Sequence, residues 1–95
     1  MRRAAKIDNN QSEIVSVLRS IPGLSVEVGH DDILVGHAGK TYWFEIKAES
    51  AISKKTGEVK WSEVTESERK RLATWHGHYQ IVWNIRQILE AIGIA

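Results

Sequence analysis

Two acidic side chains and a lysine fall on neighbouring predicted strands, at positions where they could serve one chemical step. Asp32 opens a short apolar run, while Glu45 and Lys47 lie two residues apart near the end of the next run. Because the side chains of a strand alternate between its faces, Glu45 and Lys47 share one face. Counting outward from a hairpin turn at residues 36–39 places Asp32 opposite Phe44 or Glu45. The two carboxylates are therefore expected within reach of one cation.

This donor set indicates a hard divalent cation such as Mg²⁺, for which Mn²⁺ is expected to substitute. Mg²⁺ prefers oxygen ligands and often binds through one or two carboxylates together with a substrate phosphate. The backbone carbonyl of Ile46 could add an oxygen, and Glu13, at the edge of the apolar stripe of the first helix, is a further candidate ligand. Lys47 would hold or polarise an attacking water and offset charge on the phosphate. Such a group of residues suits hydrolysis of a phosphodiester.

The hydropathy pattern predicts the elements that must position these groups. An amphipathic helix is predicted over residues 7–20, where Pro22-Gly23 ends the pattern. Four strands are predicted, at residues 24–28, 32–35, 40–48 and 79–83. A second helix is predicted to begin at the cap Thr65, to run to about His76 and to turn Leu72 and Trp75 inward, and a last helix follows Asn84. The predicted class is α/β, a mixed sheet flanked by helices in the order α-β-β-β-α-β-α.

Length and composition restrict the class of protein further. Ninety-five residues allow one compact core, so we predict a single domain over residues 1–95, with its core within 7–92 and a mobile loop at about 49–61. The absence of cysteine excludes disulfides, a thiolate zinc site and a cysteine nucleophile. No apolar run approaches the length of a membrane span. We expect no membrane partner and a reducing, cytoplasmic setting.

The charge balance alone does not identify a partner. Lys and Arg number 13 against 12 Asp and Glu, for a formal charge of +1. If Glu13, Asp31, Asp32 and Glu45 gather around a metal, the rest of the chain is clearly basic, which suits a phosphate-bearing partner such as DNA. The candidate DNA-binding side chains are those of the lysine-rich loop and the following helix, namely Lys54, Lys55, Lys60 and Arg69.

The acidic motif and its order along the chain match a known pattern. The run Asp32-Ile-Leu-Val35, a short hairpin and Glu45-Ile46-Lys47, after a helix that carries Glu13, resembles the PD-(D/E)XK nuclease superfamily, whose core order is α-β-β-β-α-β. More narrowly it resembles stand-alone VRR-NUC domains, which are similar to Holliday junction resolvases. The resemblance covers nearly the whole chain, up to the segment that ends at Trp83. It implies a restriction-endonuclease-like core and a Mg²⁺-dependent endodeoxyribonuclease that cuts branched DNA such as a Holliday junction.

Two positions depart from the pattern of this family. The proline of the motif is Asp31 here, which leaves either Asp31 or Asp32 as the metal ligand. We favour Asp32, because the apolar strand follows it immediately. A glutamine that often points at the site from the following helix corresponds to Glu68. This carboxylate, in the middle of an apolar stripe, is either the reciprocal partner of Thr65 in a capping box or a site residue, and the two roles are compatible.

The tryptophans and the small size bear on how such a domain would meet its partners. Trp75 falls on an apolar pattern and is predicted to be core, whereas Trp43 and Trp61 are predicted either to pack in the core, to form a dimer contact or to stack on a base. One domain offers one site, so cutting two strands implies a symmetric homodimer. Ile88 and Ile92 of the last helix are candidates for the dimer surface.

Two other functions remain open from the sequence. The first is a nuclease-like fold that binds nucleic acid or a protein without cutting, which Asp32 and Glu45 variants would reveal. The second is a nicking nuclease that acts on ordinary or single-stranded DNA. Both share the predicted fold, so they differ from the favoured function only in chemistry and substrate.

Overall fold

The computed structural model describes the backbone of residues 2–94 and the side chains of residues 10–94. The elements of this part are α1 (Arg2–Arg19), β1 (Ser25–Val28), β2 (Asp32–His37), β3 (Lys40–Ile46), α2 (Glu66–Thr74), β4 (Tyr79–Val82) and α3 (Ile85–Ile92). The predicted order α-β-β-β-α-β-α is therefore confirmed for these residues. Among them, no helix is both long enough and apolar enough to cross a bilayer.

The four strands form one mixed sheet in the order β1-β2-β3-β4. The pairs β1–β2 and β2–β3 are antiparallel, and β3–β4 is parallel, with α2 in the connection between them. A parallel pair requires a crossover connection of this kind, whereas antiparallel neighbours need only a tight turn. The predicted α/β class and mixed sheet are confirmed.

The hairpin between β2 and β3 is tighter than the predicted turn at residues 36–39. Both strands continue to His37 and Lys40, and only Ala38 and Gly39 form the turn. Their φ angles are 52° and 80°, the left-handed values that two-residue type I′ turns require. Because the turn shortens equally on both sides, the register outward from it is unchanged, and Asp32 pairs with Glu45 as predicted.

The hydrophobic core lies between one face of the sheet and the helices α1 and α3. The strand residues Val35, Phe44 and Val82 are fully buried there, together with Leu18 of α1 and Ile88 of α3. Each helix turns one apolar side to the sheet, as expected for amphipathic helices.

The suggestion that Ile88 and Ile92 form a dimer surface is wrong. Ile88 is fully buried and Ile92 is 5% exposed, and both belong to the core cluster. Asn84 caps α3 through a capping box with Gln87, which fixes where the helix begins. Because the helix begins there, its apolar side faces the sheet and is buried in the core of the same chain.

Helix α2 packs on the opposite face of the sheet, against β4. The predicted capping box is confirmed: Thr65 Oγ1 accepts from the Glu68 N–H at 3.2 Å, and Glu68 Oε1 accepts from the Thr65 N–H at 3.0 Å. The helix ends at Thr74 rather than near His76. The predicted inward positions of Leu72 and Trp75 are wrong, since these side chains are 41% and 52% exposed. Glu68 is the buried residue of α2. The apolar side chains of Leu72 and Trp75 lie farther along, where the sheet does not cover them.

The segment predicted as a mobile loop, residues 49–61, has internal structure. It begins with a 3₁₀ turn, Glu49–Ala51, and Ile52 bridges to Val59 in an antiparallel pair. Within the bridge, the Ser53 N–H donates to the Glu58 carbonyl at 2.8 Å. The buried Ala51 ties the segment to the rest of the domain. Its mobility stays a prediction.

Candidate metal centre

Three carboxylates converge on the outer face of the sheet, where α2 packs. One oxygen each of Asp31, Glu45 and Glu68 lies within 4.8 Å of the others. Asp31 directly precedes β2, Glu45 lies near the end of β3, and Glu68 lies in the first turn of α2. Like charges at this separation are unfavourable without a proton or a cation between them. We call these three residues the carboxylate cluster.

Asp32 faces the same side of the sheet as Glu45 but is not a member of the cluster. Its Oδ2 accepts a hydrogen bond from the indole N–H of Trp43 at 2.8 Å. Its other oxygen lies against Gly29, where a side chain would collide with it. Of the two adjacent aspartates, the sequence favoured Asp32 as the ligand, but the structure brings Asp31, and not Asp32, into the carboxylate cluster.

Glu45 is the most deeply buried of the three carboxylates, with 2% of its surface exposed. Its Oε1 accepts from the Tyr79 hydroxyl at 3.3 Å, while its Oε2 is buried without any hydrogen-bond partner. Burial, followed by the adjacent carboxyl groups of Glu68 and Asp31, raises the pKa of Glu45 to about 9. In the metal-free chain Glu45 therefore keeps a proton that it can share with the neighbouring acids, and a divalent cation would take the place of that proton. The position of Glu45 inside a group of oxygen donors is what a divalent cation would require.

Lys47 and Glu68 form a close ion pair at the edge of the cluster. The Lys47 ammonium lies 3.0 Å from Glu68 Oε1 and 3.2 Å from Oε2, and the two side chains are 14% and 7% exposed. Burial acts to raise the pKa of Glu68, but the Thr65 N–H and the Lys47 ammonium outweigh it and hold the pKa below its ordinary value. Glu68 therefore has both of the roles that the sequence left open: it closes the capping box of α2, and it lies beside Lys47 and Glu45.

The backbone next to the cluster is held by two hydrogen bonds. The Ile46 N–H donates to the Asp31 carbonyl at 3.0 Å, which fixes Asp31 beside the end of β3. The Asn10 side chain, on α1, donates to the Lys47 carbonyl at 2.9 Å. Glu13 is exposed and does not join the carboxylate cluster. Asn10 and Glu13 are three residues apart and share a side of α1, so this spacing was the signal that could have pointed to Asn10.

Sequence reasoning did not identify Tyr79 and Arg71. Arg71 donates to the Tyr79 hydroxyl at 3.5 Å, and its guanidinium lies 4.5 Å from the Trp43 ring centre and 5.2 Å from that of Tyr79. Burial raises the pKa of Tyr79 to about 12, so its hydroxyl keeps the proton that it donates to Glu45. The signal available in the sequence was that Tyr79 begins a predicted strand that follows a crossover helix, because such a strand can pair with the strand that carries Glu45.

The four candidate DNA-binding side chains have different surroundings. Lys54 and Lys55 are exposed in the turn within residues 49–61. Lys60 donates to a backbone carbonyl at 3.2 Å. Arg69 donates to two backbone carbonyls at 3.0 and 2.7 Å and lies 4.6 Å from the Trp61 ring centre. Arg69 therefore stabilises the segment before α2. Of the four side chains, those of Lys54 and Lys55 are exposed without such contacts to the described residues.

Comparison of the chain with family models, curated proteins and solved structures found no match. The function is therefore inferred from the chemistry of the site. Three features bear on the function. The candidate metal ligands are all carboxylate oxygens, Oε2 of Glu45 is buried among them, and the adjacent Lys47 is held in place by Glu68.

Proposed function

We propose that this chain is a metal-dependent endonuclease that hydrolyses phosphodiester bonds in DNA. The observation that carries the proposal is the convergence of Asp31, Glu45 and Glu68, one oxygen of each within 4.8 Å of the others, beside the Lys47 ammonium. Asp31 and Glu45 would hold Mg²⁺ or Mn²⁺, with the Ile46 carbonyl as a further predicted ligand. The cation would supply a bound water of lowered pKa and stabilise charge on the phosphate.

The residues of the chain have separate parts in this reaction. Tyr79 holds Glu45 by a hydrogen bond to Oε1 and leaves Oε2 for the cation. The Lys47 ammonium, 14% exposed, is the cationic group that can orient the attacking water and donate to the phosphate. Glu68 holds the Lys47 ammonium in place at the edge of the cluster through the ion pair. Asn10 fixes the Lys47 backbone from α1.

The order of elements and the acids around β2 and β3 support a nuclease of the PD-(D/E)XK class. The resemblance to stand-alone VRR-NUC domains supports branched DNA, such as a four-way junction, as the substrate. The carboxylate cluster of each chain would serve one strand, so a homodimer would cut two strands. The exposed lysines Lys54 and Lys55 would contact phosphates outside the site.

Four labelled DNA substrates compared side by side test this function: a linear duplex, a single strand, a flap and a four-way junction. We expect cleavage in Mg²⁺ or Mn²⁺, none in EDTA, and the fastest cleavage at the junction. If the chain binds these substrates but cleaves none of them with either metal, it is a binding module and the proposal is wrong. If the linear duplex or the single strand is nicked faster than the junction, the branched substrate is wrong and the nicking alternative replaces it.

A further inference from the structure

An exposed apolar groove lies on the outer face of the sheet, next to the carboxylate cluster. It has a volume of about 400 Å³, and its apolar walls are formed mainly by Leu34, Trp43 and Trp75. Leu34 and Trp75 are 42% and 52% exposed. Single exposed apolar residues are ordinary, but a contiguous concave group of them indicates a binding site.

The aromatic wall of this groove is held in place on several sides. Trp43 meets Trp75 edge to face at 4.9 Å between ring centres, and it meets Tyr79 in the same way at 5.0 Å. The Trp43 indole N–H donates to Asp32, and the Arg71 guanidinium lies over the ring. Because Arg71 covers a face of the Trp43 ring, the more exposed Trp75 indole is the surface on which a flat ligand can stack. A rigid aromatic surface of this kind loses little conformational entropy on binding.

The groove and the carboxylate cluster share neighbours. Asp32 lines the groove and pairs across the ladder with Glu45, the central acid of the cluster. Arg71 lies over Trp43 and also donates to Tyr79, which in turn donates to Glu45. A ligand in the groove would therefore lie beside a phosphate that is positioned at the cluster.

We propose that this groove holds one unstacked nucleobase of the strand that is cut. The indole walls suit a flat ring, and the carboxylates of Glu27 and Asp32 at the groove disfavour a phosphate there but can accept hydrogen bonds from the N–H groups of a base. Arg71, beside Trp43, suits the phosphate of the same nucleotide. The proposal rests on the nuclease function and narrows its substrate to DNA in which a base next to the cleaved bond can leave the stack, as at a branch point.

Binding measurements in EDTA test this proposal independently of cleavage. The probes are a fluorescein-labelled single-stranded oligonucleotide and an oligonucleotide of the same length with abasic sites throughout, compared by fluorescence anisotropy. We expect the wild type to bind the base-bearing strand roughly tenfold more tightly than the abasic strand. Trp75→Ala, and independently Leu34→Ser, should remove most of that difference and leave the affinity for the abasic strand unchanged. Trp61→Ala, which removes an exposed indole outside the groove, is the matched control.

Three outcomes would overturn the base site. The wild type could bind both strands equally, or Trp61→Ala could remove the difference as fully as Trp75→Ala does. Light scattering could also show a wild-type dimer that Trp75→Ala dissociates, in which case a second copy occupies the groove. Each outcome leaves the nuclease function standing if wild-type cleavage depends on Mg²⁺. Failure of the nuclease proposal itself would show as an absence of cleavage in the digestion of the four DNA substrates, whatever the binding measurements give.

Discussion

Glu45→Gln should lower Mg²⁺-dependent cleavage by roughly 10³-fold or more, because it removes a charged metal ligand at the centre of the cluster. The amide keeps the size of the side chain and can still accept a hydrogen bond from Tyr79. The substitution therefore changes charge with little change in packing. Initial rates on the best substrate, at saturating Mg²⁺, measure the effect. A rate within a few fold of the wild type would exclude Glu45 as a ligand.

The same variant should change how stability depends on pH. The pKa of Glu45 is raised from 4.5 to about 9 in the folded chain. Between these values the folded state holds a proton that the unfolded state has released, so metal-free stability falls as pH rises, by at most about 1.4 kcal/mol per pH unit from this group. Gln cannot titrate, so Glu45→Gln should be more stable than the wild type at pH 8 and similar to it near pH 4.

Urea unfolding in EDTA at several pH values measures this difference in stability. The matched control is Glu90→Gln, which neutralises an exposed acid of α3 away from the cluster. It should track the wild type at every pH. Mg²⁺ should raise the stability of the wild type most at high pH, because the cation replaces the proton on Glu45. Parallel stability profiles for the wild type and Glu45→Gln would contradict the buried, protonated carboxyl.

Lys47→Met should have the second large effect, and it should act on both activity and stability. Cleavage should fall by roughly 10² to 10⁴-fold, because the cation beside the water and the phosphate is lost. Stability should fall by about 3 kcal/mol, since the substitution leaves the buried Glu68 carboxylate next to two other acids without its partner. Cleavage assays and urea unfolding of the same preparations measure the two effects.

The double variant Lys47→Met/Glu68→Gln separates these two consequences. Gln can still close the capping box with Thr65, and it leaves no unpaired charge at that position. We expect the double variant to recover most of the lost stability and none of the lost cleavage. Recovery of cleavage along with stability would show that Lys47 matters only for folding. A stable single variant that cleaves at the wild-type rate would exclude Lys47 from the reaction.

Strand pairing was predictable because it depends on local rules. Counting from a glycine-containing turn fixed the register of β2 and β3, and a tighter turn at Ala38 and Gly39 left that register unchanged. Glu68 also stood out in the sequence, since a carboxylate inside an apolar stripe needs a partner. The structure supplies two partners, the Thr65 N–H and the Lys47 ammonium.

The parts that escaped prediction depend on how elements pack. The alternation of side chains along a strand predicts which face Asp32 points to, because Asp32 is the first residue of β2. It makes no prediction for Asp31, which lies in the bend before β2 and reaches Glu45 from there. The helical pattern of α2 gave no information on where the sheet ends beneath it, so Trp75 was assigned to the core although it lines an open groove. Tyr79 sits in an apolar run, and only the parallel pairing of β4 with β3 brings its hydroxyl to Glu45.

Calorimetric titration of Mn²⁺ into the wild type, Asp31→Asn and Asp32→Asn tests most directly whether the carboxylate cluster binds a divalent cation. The two substitutions are matched, since each removes one charge from adjacent residues, and Asn at position 32 can still accept from Trp43. We expect binding by the wild type, affinity weakened at least about tenfold in Asp31→Asn, and nearly unchanged affinity in Asp32→Asn. The absence of Mn²⁺ binding to the wild type, or loss of binding in Asp32→Asn alone, would contradict a metal centre held by Asp31 and Glu45.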